Sequence, residues 1–184
     1  VDIDDHNMGV SYALSHQSAI YQIDFRQEGK PVWLSVNSRG GEIKADGKGN
    51  VWFAANSLFR YDTTNSGIHT YSIGGSQPMM LTVDSLGTIW VLLQDGDLYT
   101  YDRLNDTFRH QHLQHKTKII EAVSGGKLLA ATYDNEVLLL DCISINGKQI
   151  FDTRDKKEIQ CLQESSQNEL WIRTASGHYL SSNG

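Results

Sequence analysis

The sequence predicts an all-β protein: a β-propeller of about five four-stranded blades of ~40 residues each, with an incomplete last blade. Three observations lead to this fold class: a motif that recurs at a nearly constant spacing, apolar residues that alternate along short segments, and glycines where tight turns are expected. The 184 residues include 16 Gly but only two Pro, a composition that favours many short strands joined by glycine turns.

The recurring motif has two parts. Residues 46–52 and 84–90 both read Asp-x-x-Gly-x-[Val/Ile]-Trp, and they are followed by Leu-[Phe/Tyr]-x-Tyr-Asp at 58–62 and 98–102. In weaker copies the Trp position recurs at spacings of 40, 38, 39 and 42 residues, and its occupants are Tyr12, Trp52, Trp90, Leu129 and Trp171. The repeat predicts blades at about 1–37, 38–76, 77–115, 116–155 and 156–184, of which the last is too short for an outer strand.

Each unit is predicted to run from an inner strand to an outer one. The inner strand ends at the Asp of Asp-x-x-Gly, whose side chain closes the turn while the Gly supplies a positive φ. The second strand carries the Trp, the third ends in Tyr-Asp, and the fourth is polar. Residues 104–123 look helical in isolation. When they are aligned with the repeat, however, they are predicted to contain an outer strand and the next inner strand.

The repetition of residues also argues against catalysis. A catalytic carboxylate is needed once per site, whereas a turn-closing Asp is needed once per blade. We therefore predict structural roles for the four residues that end the third strands, Asp24, Asp62, Asp102 and Asp141. By the same logic Trp52, Trp90 and Trp171 are predicted to pack between blades.

Composition excludes some classes of function. With 16 Lys+Arg against 22 Asp+Glu, the formal charge is -6, which disfavours binding of nucleic acid or of an anionic membrane. The apolar runs are far shorter than the roughly 18 residues that span a bilayer. Cys142 and Cys161 are interpreted as two unpaired buried thiols, with one disulfide as the alternative. Since Val1 is followed by no leader pattern, we expect the chain to be a piece of a longer protein.

The motif at 46–62 and 84–102 resembles the two-component regulator propeller repeat, and the resemblance is strong over these central residues and weaker elsewhere. It implies the periplasmic sensor region of a Bacteroides-type hybrid two-component histidine kinase. The implied function is non-catalytic: detection of an extracellular signal such as an oligosaccharide, which controls transcription through a phosphorelay. The membrane anchor, kinase and other signalling domains would then lie outside this chain.

An alternative is the streptogramin-lyase-like propeller, whose units also read Asp-Gly-x-x-Asn-[Val/Ile]-Trp-Phe, as residues 46–53 do. That resemblance implies a metal-dependent lyase that uses His and Glu from loops on one face. Here Ala54 and Ala55 follow the motif where that family favours Thr-x-Glu, so the enzyme interpretation is second.

A ligand would be expected where propeller loops converge around the channel. The loops between second and third strands contribute Asn56, Gln94, Asp95, Tyr133 and Asp134, and the connections between blades contribute Arg39, Gln77, His115 and Arg154. Their amides, carboxylates and guanidinium groups suit the hydroxyl groups of a sugar, and the Tyr133 ring can stack on it. The alternative for each residue is a solvated loop side chain that binds nothing.

A metal site is not favoured. His110 and His112 would project from the same face of a strand, but that strand is the solvated outer one, and no Cys or carboxylate in the same segment completes a ligand set. No phosphate-binding glycine loop is found either, so we expect no cofactor. The expected partners are an oligosaccharide and neighbouring blades or a second copy of the chain.

Overall fold

The computed structural model describes residues 2–3, 10–14, 19–24, 32–35, 42–152, 157–165 and 167–181; up to residue 35, and at 152 and 178–181, it describes the path of the strands. These residues form strands and turns without a helix, so the all-β prediction is confirmed for them. Among them there is accordingly no apolar helix of membrane-spanning length.

The strands form antiparallel sheets in strict chain order, each strand pairing with the next. Sheet one contains β1 (Asp2–Ile3), β2 (Val10–Leu14), β3 (Ala19–Asp24) and β4 (Val32–Ser35). Sheet two contains β5 (Ile43–Ala45), β6 (Asn50–Ala54), β7 (Leu58–Asp62) and β8 (Ile68–Tyr71). Sheet three contains β9 (Pro78–Val83), β10 (Ile89–Leu93), β11 (Leu98–Asp102) and β12 (Thr107–Gln111).

Sheet four contains β13 (Thr117–Val123), β14 (Lys127–Thr132), β15 (Glu136–Asp141) and β16 (Gly147–Asp152). Sheet five contains three strands in the described part of the chain, β17 (Ile159–Glu164), β18 (Leu170–Thr174) and β19 (Gly177–Ser181). The four-stranded antiparallel sheets are thus confirmed, and residues 104–123 hold an outer strand followed by an inner one, as predicted.

The first strands of consecutive sheets contact one another, β1 with β5, β5 with β9, β9 with β13 and β13 with β17, which gives a propeller-like arrangement. Apolar cores fill the spaces between sheets two and three, three and four, and four and five. Every residue of β10 is buried because sheet three is covered on both faces.

The Asp-x-x-Gly segments form the turns between first and second strands. The carboxylate of Asp84 accepts hydrogen bonds from the backbone N–H groups of Leu86 and Thr88 and, at 3.0 Å, from the indole N–H of Trp90. Asp46 makes the equivalent bonds one sheet earlier. The predicted positive φ is confirmed at Gly49 (85°) and Gly87 (71°), the conformation that glycine adopts without strain.

The Asp residues after the third strands organise the next turn. Asp62 accepts from the backbone N–H of Thr64 at 2.8 Å, Asp102 from that of Leu104 at 3.1 Å, and Asp141 from that of Ser144 at 2.8 Å. Asp24 ends β3 and Tyr12 lies in β2, but their side chains are outside the described residues.

The Trp position is buried in three sheets and exposed in the fifth. Trp52, Trp90 and Leu129 are fully buried between their own sheet and the following one. Trp171, which we predicted to pack between blades, is instead 41% exposed, because no described residue covers that face of sheet five. Cys142 and Cys161 are both free thiols, so the disulfide alternative is not realised, but both are only partly buried, in contrast to the predicted full burial.

Candidate functional site

The predicted ligand residues occupy one end of the sheets. Asn56 lies between β6 and β7, Gln94 and Asp95 lie between β10 and β11, and Tyr133 and Asp134 lie between β14 and β15. Gln77 and His115 lie just before the first strands of sheets three and four, while Arg39 and Arg154 are outside the described residues.

Backbone hydrogen bonds hold these loops together in pairs. The N–H of Gln94 donates to the carbonyl of Gln77 at 2.9 Å, and the N–H of Tyr133 donates to the carbonyl of Lys116 at 3.1 Å. Each turn between second and third strands is therefore bonded to the connection that enters its own sheet. The geometry follows from antiparallel order, since both segments emerge at the same end of a sheet whose strands alternate in direction.

Five of these residues make side-chain contacts with one another, and one of the contacts crosses from sheet four to sheet three. The Gln94 amide donates to the Gln77 side-chain oxygen at 3.4 Å, and the Tyr133 hydroxyl donates to the Gln94 carbonyl at 3.5 Å. His115 Nδ1 lies 3.2 Å from a carboxylate oxygen of Asp134. We call Gln77, Gln94, Tyr133, Asp134 and His115 the loop-end row.

Two predicted residues are not part of the row. Asn56 is exposed in the turn of sheet two, and no described contact joins it to the row. Asp95 is also exposed, and its carboxylate accepts a hydrogen bond from the backbone N–H of Asp97 at 3.2 Å, an arrangement that stabilises its own turn.

The structure adds a charged cluster that sequence reasoning missed. Lys116 donates to the Asp97 carboxylate at 2.5 Å, and His110 Nε2 lies 3.3 Å from the same oxygen. The Lys116 hydrogen bond, helped by His110, lowers the pKa of Asp97, and Asp97 in turn raises the pKa of Lys116. Lys116 lies next to the predicted His115, but only the pairing of adjacent sheets brings it to Asp97.

Gly96 lets the two loops approach closely. Its φ is 84°, and a Cβ built there would lie 3.0 Å from both the Lys116 Cβ and the Thr117 carbonyl oxygen. A pocket of about 120 Å³ opens beside it, lined by residues 96–98 and 110–116. Its volume is below that of typical small-molecule sites, so it suits one polar group of a ligand.

His110 and His112 lie together, but their surroundings differ from those of a metal site. Their rings are 4.2 Å apart in a T-shaped contact, and His110 also contacts the Tyr99 ring. In the described ranges, no group of three or more His, Cys, Asp or Glu side chains is arranged to hold a metal ion.

The loop-end row presents hydrogen-bonding groups and one accessible ring to solvent. Gln77, Gln94, Tyr133 and Asp134 are exposed, with 52% of Tyr133 accessible. Amide and carboxylate groups bind hydroxyl groups through hydrogen bonds, and an exposed Tyr ring offers a flat apolar face to a sugar or another ring. The row is a polar surface that is accessible to solvent.

No protein-family model and no curated protein matches the sequence of this chain. Solved structures do match its fold. The extracellular domain of a hybrid two-component system from B. thetaiotaomicron superposes with a TM-score of 0.72 and 18% identity over 96% of this chain and 25% of that one. The extracellular domain of a one component system from the same organism superposes with a TM-score of 0.74 and 14% identity. That match covers 95% of this chain and 26% of the other.

Virginiamycin B lyase from Staphylococcus aureus also matches, with a TM-score of 0.68 and 14% identity over 99% of this chain and 72% of the lyase. This chain spans about a quarter of the length of the two extracellular domains. At these identities the likeness concerns the fold. The resemblance to the extracellular region of two-component systems that the repeat indicated is thus confirmed at the level of the fold, which the chain also shares with a lyase.

Proposed function

We propose that this chain is a non-catalytic part of the extracytoplasmic sensor domain of a hybrid two-component regulator. The observation that carries the proposal is the fold likeness, over at least 95% of the chain, to the extracellular domains of a hybrid two-component system and of a one component system. The Asp-x-x-Gly…Trp repeat supports it independently, because it resembles the propeller repeat of such regulators. The parent protein is a membrane-anchored histidine kinase in this proposal, and the chain lies in the periplasm.

In the same proposal the five sheets are propeller blades with the boundaries predicted from the repeat, 1–37, 38–76, 77–115, 116–155 and 156–184. The contacts between consecutive first strands support this assignment. Neighbouring blades or a second copy of the chain cover the outer faces of the end sheets, since sheets in repeat proteins bury their apolar faces against one another.

The proposed signal is an oligosaccharide that binds at the loop-end row. The exposed amides of Gln77 and Gln94, the Asp134 carboxylate and the Tyr133 ring supply the hydrogen bonds and the stacking surface that sugars use. Its binding to the sensor domain would regulate the kinase and, through the phosphorelay, transcription.

Calorimetric titration of the protein that contains this chain with a panel of oligosaccharides tests the proposal. We expect at least one sugar to bind, and Tyr133→Ala to weaken its binding at least tenfold because the stacking ring is lost. The matched control is Leu104→Ala, which removes an exposed side chain from the turn between β11 and β12. Failure of every sugar to bind, or equal losses in the two variants, would contradict it.

The second candidate, a streptogramin-lyase-like enzyme, is favoured by one observation: the chain covers 72% of virginiamycin B lyase, a larger share than it covers of the sensor domains. Incubation with virginiamycin B and divalent metal ions, followed by liquid chromatography, separates the two functions. We expect the antibiotic to elute unchanged; its conversion would establish the lyase instead.

A further inference from the structure

Sheets three and four differ at one set of equivalent positions. Asp102 and Asp141 both end a third strand, so Tyr101 and Leu140, one residue earlier, hold the same position of the repeat. In sheet three Tyr101 is paired with Phe108, whereas in sheet four Leu140 is paired with Gly147. Two residues further along the same face, sheet three pairs Tyr99 with His110, and sheet four pairs Leu138 with Gln149.

Between sheets two and three, ring side chains fill the outer part of the space. The Phe108 ring lies 5.4 Å from that of Tyr71 and 5.9 Å from that of Trp52, which both belong to sheet two. The guanidinium of Arg60 lies over the Trp52, Tyr71 and Tyr101 rings. Tyr101 and Phe108 of sheet three, together with the rings of sheet two, therefore close this side.

Between sheets three and four, the equivalent space is a cleft of about 330 Å³. Leu138, Leu140, Gly147 and Gln149 form one wall, and residues 112–115, which connect the two sheets, form the other. Smaller side chains at the four repeat positions account for the cleft. Its volume is in the range of small-molecule sites and above the roughly 150 Å³ that holds benzene in an engineered cavity.

The lining combines an apolar base with amide and imidazole side chains and one carboxylate. Leu113, Leu138 and Ile145 pack on the core between sheets three and four, so they form an apolar base. Glu136 supplies the formally charged carboxylate of the lining and accepts a 3.5 Å hydrogen bond from the Gln149 amide. An apolar base beneath a single carboxylate matches a ligand that has a flat ring and a positively charged group.

We propose that this cleft binds a small aryl-alkyl amine, with its ring between Leu138 and the segment 112–115 and its ammonium group at Glu136. The ring occupies the place that the Phe108 ring takes between sheets two and three. The cleft lies between the outer strands of the sheets, so this site is separate from the proposed sugar site on the loop-end row, although His115 borders both.

The test is an NMR titration of the isotope-labelled protein with benzylamine, using benzoate as the probe of opposite charge. We expect benzylamine to bind with a dissociation constant on the order of 1 mM, as suits so small a ligand, and to shift the amide signals of residues 136–149. Benzoate should bind at least fivefold more weakly. Absence of shifts in this segment, or equal binding of benzoate, would overturn the proposal.

Two variants test the two parts of the site separately. Gly147→Phe puts a ring at the position equivalent to Phe108 and should weaken benzylamine binding at least tenfold, since a Cβ there already lies 2.6 Å from the Leu140 side chain and the ring fills the cleft. Gly75→Phe, at a glycine with open space around it, is the matched control and should bind benzylamine as the parent does.

Glu136→Gln leaves the volume of the cleft almost unchanged and should abolish the preference for benzylamine over benzoate. If Gly147→Phe does not fold, Glu136→Gln alone tests whether the cleft binds an amine. Retention of the full preference in Glu136→Gln would overturn the role of the carboxylate, and with it the assignment of an amine.

Discussion

At the scale of single residues, the contacts of Arg60 depend on its guanidinium group. Its side chain is 15% exposed, and its guanidinium lies 5.6 to 5.7 Å from the centres of three aromatic rings. It donates to the Tyr101 hydroxyl and, at 2.9 Å, to the Asp106 carboxylate. These contacts join sheet two to sheet three.

We expect Arg60→Lys to lower the free energy of unfolding by about 1–2 kcal/mol, because a single ammonium group cannot keep the contacts with three rings while donating to both partners. Chemical denaturation measures the change. Arg109→Lys is the matched control. Arg109 also pairs with an aspartate, Asp102, but its side chain is 65% exposed, so this variant should lower the free energy of unfolding by well under about 1 kcal/mol. Equal losses in the two variants would contradict the role of the buried contacts between the Arg60 guanidinium and the rings.

At the scale of elements, the turns between third and fourth strands in sheets two, three and four each contain a carboxylate that is hydrogen-bonded in the folded state. Hydrogen bonds from Thr64 lower the pKa of Asp62, and those from Ser144 lower the pKa of Asp141. The pKa of Asp102 is also lowered, chiefly by a hydrogen bond from the Asn105 side chain. A carboxylate with such partners is stabilised in its charged form, so each turn depends on an ionised Asp.

The sign of the pH dependence follows from these shifts. Because the folded pKa values lie below the unfolded value of about 3.9, the stabilisation is present above that value and is lost as pH falls through the folded values. We expect the free energy of unfolding, measured in urea, to decrease as the pH is lowered from about 5 to 3. Asp141→Asn should make this decrease less steep.

The control for this prediction is Glu158→Gln, which removes one negative charge from an exposed side chain just before β17. It separates the hydrogen-bonded role of Asp141 from a general effect of net charge. An equal change of slope in the two variants would contradict the turn-specific explanation.

At the scale of the whole molecule, the stacking of sheets decides what a repeat position contributes. Trp90 and Trp171 occupy the same position in sheets three and five, yet Trp90 is fully buried and Trp171 is 41% exposed. Sheet four covers Trp90, whereas no described residue covers that face of sheet five. The same residue type therefore has a different energetic weight in the two sheets.

We expect Trp90→Ala to cost about 3–5 kcal/mol of unfolding free energy, as for a buried ring that leaves a cavity. Trp171→Ala should cost about 1 kcal/mol or less, because much of its surface is already in contact with water. Urea denaturation of the two variants provides the comparison. If Trp171→Ala proved as costly as Trp90→Ala in the protein that contains this chain, then a further sheet covers Trp171 there.

Much of the fold was predictable because it depends on local and periodic features. The turn at Asp84 and Gly87, the alternating strands and the sheet order all follow from short-range patterns that recur along the chain. The candidate site was less predictable. The position of the loops in the repeat predicted Gln77, Gln94 and Tyr133. The contact between Asp97 and Lys116 forms only because two sheets pack together, and no sequence pattern predicted it.

The sequence by itself determined that this chain is all-β, where its strands turn, and which Asp and Gly residues close the turns, because those depend on backbone conformation and on hydrogen bonds over a few residues. Only the tertiary structure decided that Trp171 is exposed, that Arg60 lies among rings, and that Gly147 borders a cleft. Burial and cavity volume depend on the side chains that two neighbouring sheets bring face to face, and residues far apart in the chain supply them.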